Sequence, residues 1–362
     1  MNILLVGRSK LRSYGGVQTF IRDLLAFLGS NDIVASYLEV PRFYDGEPYT
    51  LYSAEIDEPR PTQVHSSCAL SDIIEDLSPQ LIHSHNLHTP FRLPVEELES
   101  IAFDMGLPHV LTVHDVTSSE SSTSALKSLK STTVCTQSQF NYRVLTAKLG
   151  LADVTWLPLG MPFNKWVPEP MPTGSLFAYP CRLMPGKGIE TAIALLGFAS
   201  ETLGSISLYL SDPGRNCFGE TRAFVSHLVE LAEPHNNLSL IFNVSSDSRD
   251  MYRQCLATLV LPSIIEGFSL VGLESLAMGR PVLARPTGGM LEWMTGQDGV
   301  ILFDGGIDPN HFTYQVKRVL DDRLEWHTKA LTSRAELAHR YDIAVAGNAH
   351  VLLYGSLIHR CN

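Results

Sequence analysis

The chain has 362 residues, 44% of them hydrophobic and 18% charged, with a formal net charge of −11. That length is long for one hydrophobic core and comfortable for two domains. The acidic balance argues against nucleic acid or an anionic membrane surface as the main partner, although a local basic pocket stays compatible with it.

The opening Met1-Asn2-Ile3-Leu4-Leu5-Val6-Gly7 lacks the cationic start of a signal peptide and reads as a first buried strand. No apolar run approaches the roughly 20 residues a membrane span needs. The six cysteines are scattered without a C-x-x-C pair, which fits a reducing compartment and disfavours a zinc site. The expectation is a cytoplasmic protein with at most peripheral membrane contact.

After the first strand comes the basic loop Arg8-Ser9-Lys10-Leu11-Arg12-Ser13-Tyr14-Gly15-Gly16, whose glycines open a helical pattern over residues 17–27. Two glycines at that point let a backbone approach a ligand and leave helix N–H groups free, and they equally make a plain tight turn. The pattern is neither G-x-G-x-x-G nor a Walker loop. Further apolar runs at 33–38, 81–83, 109–113 and 133–136 alternate with amphipathic stretches. Such alternation predicts a parallel sheet with crossover helices and ligands at the carboxyl ends of its strands. Within it, His83-Ser84-His85-Asn86-Leu87-His88 puts alternate histidines on one face, but with no carboxylate or cysteine nearby a metal is not expected.

Around residue 158 the composition turns proline-rich, through Pro158, Pro162, Pro168, Pro170 and Pro172, which reads as a linker. A second alternating series follows, with strands expected near 176–179, 207–210, 238–242, 257–261, 282–284 and 299–303, and so a second doubly wound domain. Two long helical patterns, 311–320 and 324–340, and a shorter one near the end complete the chain.

Two stretches of the second domain carry chemistry. In Arg182-Leu183-Met184-Pro185-Gly186-Lys187-Gly188 a guanidinium and an ammonium lie where a strand end meets a helix start, able to hold a diphosphate from separate sides. In Glu266-Gly267-Phe268-Ser269-Leu270-Val271-Gly272-Leu273-Glu274 two carboxylates eight apart bracket the start of a helix that Gly279-Arg280-Pro281 ends. Glu274 is placed early in that helix and Glu266 just before it. The first-turn N–H groups between them suit an anion, and each carboxylate can accept hydrogen bonds from sugar hydroxyls. A solvated Arg and Lys, a dipole-complementing Glu274 and a turn-capping Glu266 are the plain alternatives.

Taken together, the basic pair, the two glutamates, Thr287-Gly288-Gly289 and Gly15-Gly16 resemble the retaining glycosyltransferases of family 4, the glycosyl transferases group 1. The resemblance covers nearly the whole chain. It implies an α/β GT-B fold of two Rossmann-like, doubly wound domains facing across a cleft. Residues 1–160 would form the acceptor-side domain, 161–340 the nucleotide-sugar domain, and 341–362 a helical tail packing back on the first. It implies a metal-independent, retaining hexosyltransferase of glycan biosynthesis that needs no cofactor. The donor would be a UDP- or GDP-sugar and the acceptor a hydroxylated molecule.

By the same resemblance, Arg182 and Lys187 neutralise the donor diphosphate and Glu266 contacts the transferred sugar. Gly267, Phe268, Ser269, Leu270 and Val271 line sugar and phosphate, Glu274 holds the ribose, and Gly15 and Gly16 complete the donor site. His114, at the end of Val110-Leu111-Thr112-Val113, looks like the family's histidine beside the donor sugar, where imidazole or backbone orients the reacting hydroxyl. It joins Glu266, Arg182 and Lys187 as a catalytic candidate. His85, Arg12 and Tyr14 are acceptor-side candidates.

The chain departs from the family where Pro158-Leu159-Gly160-Met161-Pro162 replaces the usual Pro-Asn-Gly-Val-Asp, where Cys181 replaces a glycine before Arg182, and where Ser211 follows a strand in place of glycine. These changes bear on base recognition and linker geometry. A catalytically silent nucleotide-sugar sensor or subunit of the same fold is the alternative. A phosphorylase or epimerase ranks below it, since no pyridoxal lysine site is recognisable.

Overall fold

The computed structural model describes residues 1–7, 11, 15–40, 49–53, 61–65, 69–88, 95–114, 120–211, 221–242, 249–261 and 266–361. The chain divides into two compact units, one of Met1–Ser13, Val17–Met161 and Tyr341–Asn362, the other of Tyr14–Gly16 and Pro162–Arg340.

The first unit holds strands β1 (Asn2–Gly7), β2 (Val34–Glu39), β3 (Tyr49–Ser53), β4 (Pro61–His65), β5 (Leu81–His85), β6 (His109–Val113), β7 (Thr132–Thr136) and β8 (Val154–Trp156). They form one sheet in the order β4-β3-β2-β1-β5-β6-β7-β8. Between the strands lie α1 (Gly16–Ser30), α2 (Leu70–Leu77), α3 (Val95–Asp104), α4 (Glu120–Ser128) and α5 (Gln139–Arg143), the last running into a π-helical turn at Val144–Lys148. Every position of β5 and β6 is buried, as expected of central strands covered on both faces. Helix α1 buries Phe20, Ile21, Leu24, Leu25 and Leu28, an apolar stripe at three- and four-residue spacing.

The sheet is not wholly parallel, as the sequence reading had it. β2 pairs antiparallel with β3, and β3 with β4. β3 and the edge strands β4 and β8 lack the longer apolar run of β1, β5 and β6; edge strands bury less of their surface.

The second unit contains β9 (Leu176–Tyr179), α6 (Ile189–Leu203), β10 (Ile206–Leu210), α7 (Thr221–Ala232), β11 (Leu238–Phe242), α8 (Arg249–Gln254), β12 (Ala257–Val260), α9 (Leu270–Ala277), β13 (Val282–Ala284), α10 (Leu291–Met294), β14 (Val300–Leu302), α11 (Pro309–Asp321) and α12 (Arg323–Tyr341). The sheet order is β11-β10-β9-β12-β13-β14, with all pairs parallel. That is the doubly wound Rossmann order, in which the chain starts in the middle and reverses between its first and fourth strands. Helix α6 packs Ile189, Ala192, Ile193, Leu196 and Ala199 into the core with Phe177 and Leu208. The start of α11 is fixed locally: Pro309 takes the first helical position and the Asp308 side chain accepts the His311 amide at 2.7 Å.

The last helix, α13 (Ile343–Cys361), belongs to the first unit and spans 19 residues, not the short segment expected from its sequence. Its small residues hide the pattern but allow close packing. A Cβ on Gly347 would stand 2.2 Å from Phe27 Cδ1, so α1 and α13 meet at that glycine. The Met161 amide donates to Tyr341 O and the Ile343 amide to Met161 O, both at 2.9 Å, which pins the start of α13.

Candidate active site

In the second unit the reversal falls between β9 and β12, and the carboxyl ends of those strands are where a doubly wound sheet binds ligands. Tyr179, the last residue of β9, joins the two. Its hydroxyl donates to Lys187 O at 2.7 Å and accepts from the Leu261 amide at 3.3 Å. Burial holds this phenol's pKa well above the ordinary value, so it stays a donor. Gly188 makes the approach possible. With φ +80 it adopts a conformation glycine tolerates, and a Cβ there would lie 1.9 Å from Leu261 O.

This staple aims Lys187 across the strand ends. Its Nζ lies 3.2 Å from Glu266 Oε2, with the two side chains 32% and 30% exposed. The Glu266 amide donates to Thr287 Oγ1 at 3.3 Å, and the Gly289 amide donates to Glu266 O at 3.1 Å. The loops after β9, β12 and β13 therefore meet at Glu266: the loop after β13 holds its backbone, and Lys187 meets its carboxylate. Arg182 is exposed on the same loop as Lys187.

Beyond Glu266 the chain turns sharply. Gly267 and Phe268 are buried, and Trp293 Nε1 donates to Phe268 O at 2.8 Å. Ser269 has φ +70, a left-handed conformation that costs a non-glycine residue on the order of 1–3 kcal/mol. Its side chain does not cap the helix, so α9 starts at Leu270 with first-turn N–H groups not capped from that side, and Val271 is half-buried. Glu274 is the fifth of the eight residues of α9, which starts at Leu270 as the sequence reading had it. Tyr252 donates to Glu274 Oε2 at 2.5 Å. Tyr179, Tyr252 and Trp293 have no motif of their own; their roles arise from contacts 8, 22 and 25 residues away in sequence.

The first unit gathers histidines at the carboxyl ends of β5 and β6. His83 Nδ1 lies 2.6 Å from the Tyr354 hydroxyl and its Nε2 lies 2.8 Å from Thr112 Oγ1. His85 Nδ1 faces His114 Nε2 at 3.0 Å, and Phe20 packs edge-on to both rings. His114 is engaged on every side: its amide donates to Asn86 Oδ1, its carbonyl accepts from Asn141 Nδ2, and Gln137 hydrogen-bonds the ring. Burial is the main reason these imidazoles stay neutral. It lowers His114 to about 3 and His350 to about 4, and takes His83 and His85 well below the usual range, with repulsion among neighbouring rings adding to the effect on His83 and His85.

His85 is only 2% exposed, so it meets the surroundings through His114 instead of lining a surface, as the sequence reading had it. Among the described residues no cluster of His, Cys, Asp or Glu is placed to hold a metal ion. Gly15 and Gly16 stand at the start of α1, half-buried and exposed respectively. Arg12 and Tyr14, with Arg8 and Lys10, lie outside the described residues, as do residues 262–265. No helix among the described residues is long and apolar enough to cross a membrane.

Residues 163–338 match the family model described as glycosyl transferases group 1. A D-inositol 3-phosphate glycosyltransferase from Acidothermus cellulolyticus is 37% identical over 90 residues, 25% of this chain and 19% of that protein. A glycogen synthase from Mycobacterium tuberculosis is 27% identical over 215 residues, 57% of this chain and 49% of that protein. The matches thus span half or less of these curated relatives.

Among solved structures, sucrose-phosphate synthase from Thermosynechococcus elongatus superposes with a TM-score of 0.75 at 16% identity, covering 99% of this chain and 100% of that one. Anabaena HepE in complex with UDP-glucose gives 0.75 at 18% identity, with 99% and 100% covered. At such identities the likeness is one of fold, and it bears out the expected GT-B architecture of two Rossmann-like domains.

Proposed function

From the match of residues 163–338 to the glycosyl transferases group 1 model, we propose that the chain moves a hexosyl unit from a nucleoside diphosphate sugar to an acceptor hydroxyl, with retention at the anomeric carbon. The observation that carries this is the meeting of Lys187 Nζ and Glu266 Oε2, 3.2 Å apart, at the topological switch point of the second sheet. A cation and a carboxylate side by side match the two halves of such a donor, an anionic diphosphate and a hydroxylated sugar.

As the glycosidic bond breaks, negative charge grows on the departing diphosphate. Lys187, Arg182 and the first-turn amides of α9 stabilise that charge. Glu266 accepts hydrogen bonds from the sugar; its backbone is fixed by Thr287 and Gly289 and its carboxylate is paired with Lys187, which fits it for gripping, not for nucleophilic attack. Attack therefore comes from the face the leaving group occupies. The departing phosphate takes the acceptor proton, in place of the double displacement of retaining glycosidases.

His114 acts by orientation. A ring held near a pKa of about 3 is too weak a base to take up a proton at neutral pH. The first unit supplies the acceptor side, with no metal or cofactor required. HepE was solved with UDP-glucose, which makes that donor the first to try.

Incubating the protein with UDP-, GDP- and ADP-sugars and pooled acceptors, and following nucleotide release together with the anomeric configuration of the product, tests the reading. Release with an α-linked product from an α-linked donor supports it. An inverted product removes the retaining mechanism, and binding without turnover points to a silent sensor.

A further inference from the structure

Glu274 is the one site carboxylate whose side chain is fixed from the protein interior. Tyr252, on α8, is fully buried and donates to Glu274 Oε2 at 2.5 Å. The tyrosine is itself clamped. Its carbonyl accepts from Arg280 Nε at 2.9 Å, and its ring packs edge-on against Trp166 with centroids 5.5 Å apart. The fully buried Arg280 is held in turn by four more carbonyls, those of Glu169, Pro170, Met278 and Arg253, at 2.8–3.3 Å. A rigid chain of contacts therefore runs from residues 166–170 through Tyr252 to one carboxylate oxygen.

A splint of this kind is more than a helix needs. A mid-helix glutamate that only complemented a dipole would reach solvent with a mobile side chain, and losing rotamer freedom costs free energy unless the fixed geometry is used. A carboxylate that accepts from a vicinal diol does use it, because both hydroxyls must meet the oxygens in one plane. Burial and the nearby Glu274 charge both push the Tyr252 phenol well above its ordinary pKa, so it remains a donor across the working pH range.

We infer that Tyr252 is a positioning residue: it sets the Glu274 carboxylate to receive the 2′- and 3′-hydroxyls of the donor ribose, and so makes the site select ribonucleotides. This rests on the proposed donor reading, in which Glu274 holds the ribose. Tyr252 touches neither substrate nor reacting atoms. Its effect appears only on ligands that carry the diol.

The test is calorimetric binding of UDP, GDP and ADP, and of their 2′,3′-dideoxy counterparts, to the wild type, Tyr252→Phe and Glu274→Gln. The expected result is that Tyr252→Phe weakens the best-bound ribonucleotide about three- to tenfold and leaves its dideoxy form unchanged. The double variant should be no worse than Glu274→Gln alone. Equal weakening of both ligands, or no change in either, overturns the inference, since a purely packing role would affect the two alike. Melting curves for each variant confirm that the folded protein is being compared. If the wild type binds nucleotides without preferring ribose, the role of Glu274 fails and Tyr252 with it, while the donor reading stands. If it binds no nucleoside diphosphate, both fall.

Discussion

At the carboxyl ends of β5 and β6 the first unit places imidazoles bonded to one another and held neutral; at the carboxyl ends of β9 and β12 the second places a cation against a carboxylate, each about a third exposed. Both sheets are doubly wound and both put polar groups where the strands end. The difference lies in hydration. Lys187 and Glu266 keep access to water, whereas His83, His85 and His114 are so buried that charging them is disfavoured. One end is chemically suited to a diphosphate, the other to neutral hydroxyl-bearing groups.

The strongest way to break this contrast is at the charged end. Lys187→Ala and Glu266→Ala should each lower sugar transfer by about 10²–10³, because each removes an interaction that strengthens as charge develops. Stability should hardly change, since a pair exposed to this degree contributes roughly 0–1 kcal/mol. Initial rates with a saturating donor, alongside melting curves, check both statements. Full transfer by either variant would remove the assigned roles.

The neutral end should show itself through pH. There His350 is lowered to about 4 and His114 to about 3, and His109, at the opposite end of β6, is lowered to about 4, against an unfolded value near 6.5, chiefly by burial. Below about pH 6.5 the unfolded chain binds protons that the folded unit refuses. Stability is thus fully present above that pH and is lost as pH falls toward the folded values. At about pH 5 each of the three imidazoles should cost on the order of 2 kcal/mol. Thermal unfolding should therefore drop steeply from about pH 7.5 to about 5, and His350→Gln should flatten the slope. A melting temperature constant over that range would mean the cluster is hydrated or otherwise charged.

The two ends were not equally legible in the sequence. Loops between an apolar run and a helix put Arg182, Lys187 and Glu266 at strand ends, because a buried parallel strand and its following helix are written locally. The histidine cluster was not readable in this way. His83 and His85 follow the two-residue period of a strand, but their partners Tyr354 and His114 lie 271 and 29 residues away, brought in by α13 and β6. The antiparallel edge β3 and β4 carries Pro61, Thr62 and Gln63 where an apolar run would mark a strand. Helix α13 is rich in small residues that blur a hydrophobic period; Ala346 and Gly347 are buried by packing, whereas Ala344 is exposed and Gly355 has open space beside it. Tyr252 was invisible for the same reason, since only the fold sets α8 beside α9.

The smallest expected effect sharpens the contrast most, because it asks what the charged pair does when only half a donor is present. A nucleoside diphosphate without its sugar must draw Lys187 away from Glu266 and leaves that carboxylate beside the phosphates with no hydroxyl to accept from. A complete donor supplies those hydroxyls. Glu266→Gln removes both the competition for Lys187 and the repulsion of the phosphates, so it should tighten UDP binding about two- to fivefold while weakening UDP-glucose relative to UDP. The gain in UDP affinity should shrink as salt is raised, since the pair is partly exposed to screening. Calorimetry with the two ligands at low and high salt decides the matter. If UDP binds the variant no better than the wild type, Lys187 and Glu266 grip their ligand independently, and the ion pair joining them has no part in telling donor from product.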